Sequence, residues 1–195
     1  CPNCGARERH RHLWLYLANR TNLLTDRIRV LHFAPERTLE RRLKALPNLD
    51  YVSTDLERPT AMVKADITDL PFPADSFDML LCSHVLEHVV DDRKAMRELH
   101  RVLKPDGQAI LLVPISSRRA ETFEDPTIVA PEDRQRAFGQ HDHVRIYGRD
   151  FPARLEDSGF SVSVVDYAGE LGEERARRYG LRPRKRPYLH VCRKC

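Results

Sequence analysis

The sequence predicts an α/β fold in which helices cover both faces of a mostly parallel β-sheet. Short apolar runs, typical of strands buried on both faces, alternate along the chain with amphipathic stretches of helical period. Strands that alternate with helices in this way favour parallel pairing. The chain has 195 residues, of which 41% are hydrophobic and 32% charged, which is typical of a globular domain with a full core.

The first amphipathic stretch, residues 6–19, carries Leu13, Trp14 and Leu17 at helical spacing and predicts a helix packed on the domain. Residues 116–148 are polar and lack a clear period, and a segment this long inside a compact domain is usually functional or mobile. The other predicted elements are strands at 29–33, 51–54, 62–64, 77–82, 108–114, 160–166 and 188–191, and helices after Pro35, at 91–103 and at 149–157.

Two motifs make the interpretation specific. Residues 70–88 read LPFPADSFDMLLCSHVLEH, and residues 101–107 read RVLKPDG. Together they resemble the central signature of the class I S-adenosylmethionine (SAM) dependent methyltransferases, and the resemblance extends over residues 28–192. It implies a Rossmann-like sheet with an antiparallel last strand, of the small bacterial type, and SAM as the cofactor.

The resemblance also implies a cofactor site. In an open parallel sheet, ligands bind beyond the carboxyl ends of the strands. Asp55 ends a predicted strand and would accept the ribose hydroxyls, although a turn or helix-cap role is the alternative. The remaining residues of the predicted cofactor site are Phe33, Ala34, Glu36 and Leu56 near the first two strands, Asp66 and Ile67 at the adenine edge, and Ser83 and His84 beside the methionine portion.

The first loop departs from the family pattern. The family has an acidic residue and a Gly-x-Gly-x-Gly stretch, whereas residues 32–36 here read HFAPE, and no glycine occurs between Gly5 and Gly107. Ala34 stands in the first glycine position. Glu36 either holds the ammonium group of SAM or favours the start of the following helix; the sequence leaves both roles open.

Cysteine pairs occur at both ends of the chain, Cys1 with Cys4 and Cys192 with Cys195. Two such Cys-x-x-Cys knuckles can complete a four-cysteine structural zinc site, which here would join the termini. Disulfides and free thiols are the alternatives, and His10 or His12 can replace one ligand. The predicted organisation is a knuckle and helix at 1–27, a methyltransferase domain at 28–191 with a lid-like insertion at about 116–148, and a second knuckle at 192–195.

The catalytic residues are predicted in the stretch GQHDHVRIY, residues 139–147. In methyltransferases of this type a His-x-Arg-x-Tyr-like stretch borders the acceptor pocket. His143 is the predicted general base, with His141 and Tyr147 as neighbouring candidates. Each histidine has a purely structural alternative, and Glu87 and His88 are predicted to pack the helix that follows.

We therefore expect methyl transfer from SAM to a small-molecule or peptide acceptor, on oxygen, nitrogen or sulfur. RNA methylation and a catalytically silent binding module are the alternatives. The net charge of +4 is low for a nucleic-acid enzyme, although basic residues cluster at 175–186. Without a long apolar run or a signal-peptide segment, we expect a cytoplasmic protein without membrane contact, as a monomer or weak dimer.

Overall fold

The computed structural model describes residues 5–181 and 188–194. The strands are β1 (Ile28–Phe33), β2 (Leu49–Asp55), β3 (Val63–Lys64), β4 (Phe77–Ser83), β5 (Leu103–Leu112), β6 (Phe123–Glu124), β7 (Arg145–Ile146), β8 (Phe160–Val165) and β9 (Leu189–Lys194). The helices are α1 (Glu8–Arg20), α2 (Arg37–Lys44), α3 (Asp92–Val102), α4 (Pro131–Phe138), α5 (Phe151–Glu156), α6 (Tyr167–Glu170) and α7 (Glu173–Arg178), and a single 3₁₀ turn spans Leu86–His88.

Within these residues the main sheet has seven strands in the order β3-β2-β1-β4-β5-β9-β8. The pairs from β3 to β5 are parallel, while β9 lies antiparallel between β5 and β8. The predicted mostly parallel sheet with an antiparallel last strand is therefore confirmed. The chain continues from β1 to β2 on one side, and β4 lies on the other side. The carboxyl ends of β1 and β4 thus flank the crevice where ligands bind in such sheets.

Two apolar cores cover the two faces of the sheet. On one face α1, α2 and α6 bury Leu13, Leu17, Leu39, Leu43 and Tyr167. On the other face α3 and α5 pack against β4 and β5 through side chains that include Met96, Leu99, Phe151 and Leu155. The first helix is thus part of the domain core. In residues 5–181 and 188–194 no helix combines the length and the apolar character needed to cross a membrane.

Several boundaries differ from the predictions because strand pairing outweighs local turn signals. β5 begins at Leu103, so the expected helix stop at 104–107 forms part of a strand with an irregular register. β9 continues to Lys194, because residues 192–194 pair with β8. The segment 116–148 contains α4 and the antiparallel pair β6–β7. The helices α6 and α7 were not predicted, and α7 carries the first part of the basic cluster.

Candidate active site at the carboxyl edge of the sheet

The carboxyl edge of the sheet, where β1, β2 and β4 end, brings most of the predicted cofactor residues together. Two of them have left-handed backbone conformations, Ala34 after β1 with φ +44° and His84 after β4 with φ +56°. The amide of Ala34 donates to the carbonyl of Thr54 at 2.9 Å, which fixes the turn. Ala34 therefore has the backbone conformation that usually selects glycine, and this explains why glycine is usual at this place.

Glu36 follows this turn, and its carboxylate faces the crevice between β1 and β4. Its Oε1 accepts a hydrogen bond from the Ser83 hydroxyl at 3.2 Å. It also lies 3.5 Å from Nε2 of His10 and 3.8 Å from Nε of Arg9 on α1. Glu36 is the N-cap residue of α2, but its side chain makes no capping hydrogen bond. The carboxylate thus lies at the N-terminus of α2, where a negative charge favours the helix, without a capping hydrogen bond.

The second oxygen of Glu36 is incompletely paired. Oε2 is buried, and Nε2 of His32 lies 3.4 Å away, but neither atom has a hydrogen bond within the described part of the chain. Burial acts to raise the pKa of Glu36, but the contact with His32 and the nearby His10 outweigh it and hold the pKa below its usual value. A carboxylate with a negative charge and a spare acceptor oxygen is thus held at the crevice.

The ends of β2 and β3 form tight turns. Oδ1 of Asp55 accepts from the amides of Glu57 and Arg58, both at 2.9 Å. The turn role that was the alternative for Asp55 is therefore present, and it occupies one of the two carboxylate oxygens. Asp66 forms a similar turn through the amide and hydroxyl of Thr68, at 2.8 Å each.

The other predicted cofactor residues near these turns differ in exposure. Phe33 and Ile67 are buried, and both belong to the core on the α3 and α5 face of the sheet. Leu56 lies on the surface with 54% of its area exposed. An apolar side chain this exposed, directly beyond the end of β2, is suited to cover part of a bound ligand.

A second group of polar side chains lies on the loop after β4. Nδ1 of His84 is 3.0 Å from Oε1 of Glu87, which is itself buried. His88 contacts Oδ2 of Asp142 through Nδ1 at 3.2 Å, and its ring packs edge-to-face on His143 with centroids 4.8 Å apart. Glu36, His84, Glu87, His88 and His143 are called the edge group below.

Burial lowers the pKa of His143, and the nearby His88 lowers it further, against the opposing effects of Glu87 and Asp142. The imidazole is thus neutral near pH 7, as a general base requires. His141 is exposed on the surface of the same loop. Of the two predicted histidines, His143 is the one that the fold brings against the other groups.

The structure corrects the catalytic role predicted for Tyr147. This side chain is completely buried, and its hydroxyl lies 2.7 Å from Oδ2 of Asp92 and 3.2 Å from the carbonyl of Leu86. Burial raises its pKa well above the usual value, and the charge of Asp92 adds to this effect. Tyr147 faces the core rather than the edge of the sheet, because Asp92 binds its hydroxyl and Phe151 packs against its ring.

Arg145 is also structural. It donates to the backbone carbonyls of Leu86, Val89 and Val90 and to the carboxylate of Glu124. Arg154 completes the group by contacting Asp92 at 3.0 and 3.1 Å and Glu124 at 3.1 Å. The Asp92 network, defined as Asp92, Glu124, Arg145, Tyr147 and Arg154, ties the insertion to α3 and α5. Sequence reasoning missed it, because its members are far apart in the chain and carry no shared motif.

The structure does not support the predicted zinc site. Cys1, Cys4 and Cys195 lie outside the described residues. Cys192 is fully buried in β9, where it pairs with Ala109 and Val162, and it packs in the core on the α3 and α5 face. Burial raises the pKa of its thiol, which disfavours the thiolate that zinc requires.

The described residues nearest to the two cysteine pairs lie on different sides of the sheet. The start of α1 is at the carboxyl edge, where Arg9 and His10 contact Glu36. Lys194 is at the opposite edge, where it contacts Asp75 at 2.5 Å, just before β4 begins. A strand of this length spans about 20 Å, whereas zinc ligands are about 2.3 Å from the ion. The described residues next to the two cysteine pairs therefore lie at opposite edges of the sheet.

Comparison with known proteins agrees with this architecture. Residues 35–111 match the family model described as "Methyltransferase domain". A demethylmenaquinone methyltransferase of Clavibacter sepedonicus is 53% identical over 49 residues, which are 25% of this chain and 20% of that protein. The match thus spans about a fifth of the relative's length. Residues 35–111, which match the family model, contain Glu36, Asp55 and the 70–88 motif.

Solved structures extend the likeness to nearly the whole chain. The Bacillus subtilis YcgJ protein is 19% identical, with a TM-score of 0.63 over 95% of this chain and 99% of that one. The Burkholderia thailandensis 1,6-didemethyltoxoflavin-N1-methyltransferase is 17% identical, with a TM-score of 0.60 over 96% of this chain and 77% of that one. The chain has the Rossmann-like fold of these methyltransferases, and residues 35–111 match a methyltransferase domain.

Proposed function

We propose that this protein transfers a methyl group from SAM to a small-molecule or peptide acceptor. The observation that carries the proposal is the buried Glu36 carboxylate between β1 and β4, whose Oε1 accepts from Ser83 and whose Oε2 lies 3.4 Å from Nε2 of His32 without a hydrogen bond within the described residues. An unpaired buried acceptor is costly unless a ligand completes it. The ammonium group of SAM is a donor of suitable charge, so the residues present fit this cofactor.

The other predicted residues have matching chemistry. Asp55 is suited to accept the ribose hydroxyls, since only one of its oxygens is engaged in the turn. Ile67 would offer an apolar contact to the adenine ring, and Asp66 would lie at its edge. Ser83 and His84 would border the methionine portion. SAM supplies an electrophilic methyl group, so the protein's contribution is to hold the acceptor in line with it and to exclude water.

His143 is our proposed general base for an oxygen or nitrogen acceptor. Its ring is partly buried and its pKa is lowered by burial, which keeps a lone pair available at neutral pH. His141 is the second candidate, at an exposed position beside it. The insertion at 116–148 carries both histidines, so we assign acceptor specificity to this segment. Didemethyltoxoflavin, the acceptor in the name of the Burkholderia neighbour, is an example of the small-molecule class.

Calorimetric titration with SAM and S-adenosylhomocysteine tests the proposal. Asp55→Asn removes the charge of the carboxylate but keeps an oxygen for the turn. We expect it to weaken both ligands about 10- to 100-fold, because a hydrogen bond to a charged group contributes roughly 1.5–3 kcal/mol. Asp50→Asn, at the other end of β2, is the matched control and should bind like the wild type.

The result that contradicts the proposal is a folded wild-type protein that binds neither SAM nor S-adenosylhomocysteine. That outcome would favour the silent binding module. If the cofactor binds, the acceptor class follows from screening hydroxyl, amine and thiol compounds and peptides with SAM labelled in its methyl group.

A further inference from the structure

Three members of the edge group have the geometry of a metal site. Glu87, His88 and His143 each present one ligand atom, and these atoms lie within 4.8 Å of one another. We propose that these three side chains bind a divalent transition-metal ion. Two imidazoles and one carboxylate are ligands that suit Zn²⁺, Co²⁺, Mn²⁺ and Fe²⁺, whereas Mg²⁺ and Ca²⁺ prefer oxygen ligands alone.

The carboxylate of Glu87 gives an independent indication of a cation. Glu87 is only 1% exposed, and Oε1 is engaged by His84 at 3.0 Å. Oε2 is also buried and has no hydrogen-bond partner in the described ranges. A buried carboxylate oxygen left unpaired is unfavourable, and a bound cation removes that penalty. The unpaired Oε2 thus belongs to Glu87, the residue that His88 and His143 approach.

Asp142 has the position of an orienting partner. Its Oδ2 lies 3.2 Å from Nδ1 of His88. A carboxylate that accepts the Nδ1 hydrogen of an imidazole leaves Nε2 without a proton, and Nε2 can then bind a metal. This carboxylate–histidine arrangement is what metal-binding histidines usually show. Asp142 therefore acts as a positioning residue, with no direct bond to the ion.

The backbone holds the ligands in place before any ion binds. Glu87 and His88 lie on the 3₁₀ turn that follows β4. His143 comes from the insertion, and the amide of Val144 donates to the carbonyl of Glu87 at 3.0 Å. Arg145 of the same segment donates hydrogen bonds to the carbonyls of Leu86 and Val90. These contacts bring His143, which is distant in the sequence, next to Glu87 and His88.

Three protein ligands leave a coordination position for water or for an acceptor oxygen, as in catalytic rather than structural sites. A hydroxyl bound to a divalent ion becomes more acidic, so the ion can replace a general base. A metal ion and a proton compete for the same lone pair of His143. This residue is therefore a metal ligand when the ion is bound and a general base when it is not. The metal site itself does not depend on methyl transfer.

Cobalt titration tests the inference. The protein is stripped with a chelator and carries Cys1→Ser, Cys4→Ser and Cys195→Ser, so that terminal thiols cannot bind the ion. We expect one equivalent of Co²⁺ to bind, with visible d–d bands and without a thiolate charge-transfer band. Zn²⁺ should displace it. His143→Gln and Glu87→Gln should each weaken binding at least tenfold, and Asp142→Asn about tenfold.

His141→Gln is the matched control, because this histidine lies on the same loop but is not one of the three ligands. It should bind Co²⁺ like the parent. Circular dichroism and SAM affinity show whether each variant is folded. The inference is overturned if the parent binds no Co²⁺ at micromolar concentrations, or if folded His143→Gln and Asp142→Asn bind it as tightly as His141→Gln does.

Discussion

The Asp92 network and the edge group are both built from partly or fully buried charged side chains, yet they are paired to different degrees. In the network, Asp92 contacts Tyr147 and Arg154, and both arginines also contact Glu124. Its one unpaired buried atom within the described residues is Nε of Arg154. In the edge group, both carboxylates keep a buried oxygen without a hydrogen bond in the part of the chain that the structure describes.

The difference separates structural from ligand-binding roles. A buried charge that is fully paired holds its chain segments together, because removing one partner leaves the remaining buried charges uncompensated. A buried charge with a spare acceptor is suited to bind an external donor or cation. The two clusters share the segment 142–147, so one segment holds the insertion through Arg145 and Tyr147 and presents His143 to the site.

The largest expected effect is on the network. Asp92→Asn removes the charge that faces two buried guanidinium groups, and we expect it to lower the free energy of unfolding by about 3–5 kcal/mol. Urea denaturation measures it. Asp91→Ala, which removes only the N-cap bond to the amide of Lys94, is the neighbouring control and should cost about 1 kcal/mol. Equal effects of the two variants would contradict a special role for Asp92.

A smaller effect with a different readout is expected at the edge group. Glu36→Gln removes the charge that we assign to the SAM ammonium group, and SAM affinity should fall about tenfold, or roughly 1.4 kcal/mol. Stability should change less than in Asp92→Asn. Glu170→Gln, which removes an exposed carboxylate paired with Arg20, is the control. Unchanged SAM affinity in Glu36→Gln would show that this residue does not compensate for the missing glycines.

The smallest effect concerns the strained turn that precedes Glu36. The left-handed conformation of Ala34 costs roughly 1–2 kcal/mol. Glycine avoids this strain but loses about 0.5–1 kcal/mol more backbone entropy on folding than alanine does. Ala34→Gly should therefore stabilise the fold by up to about 1.5 kcal/mol. Thermal unfolding with and without SAM measures it. Ala95→Gly, within α3, should instead destabilise, and a loss of stability in Ala34→Gly would mean that the turn is not strained.

Much of the fold was predictable because it depends on local patterns. Apolar runs marked β1, β4 and β5, and the 70–88 and 101–107 motifs placed them in a methyltransferase-like order. The positions of the predicted cofactor residues at the ends of β1, β2 and β4 follow from the strands, since parallel strands end at one edge. The roles of Asp55 and Glu36 toward SAM stay predictions until binding is measured.

Other features depend on contacts between distant residues. Tyr147 and His143 lie four positions apart and carry similar chemistry, but only packing decides that one faces Asp92 and the other faces His88. Cysteine spacing predicted that the two ends meet, whereas α1 and β9 place their neighbours at opposite edges of the sheet. Spacing along the chain does not report distances across a sheet.

By itself, the sequence determined the order of strands and helices and the edge at which polar residues collect, because periodicity and strand ends are local properties. The tertiary structure decided which of the clustered polar side chains are fully paired and which keep a polar atom without a hydrogen bond. Pairing depends on side chains brought together from separate elements, such as Glu87 from the turn after β4 and His143 from the insertion. These contacts exist only after the chain has folded.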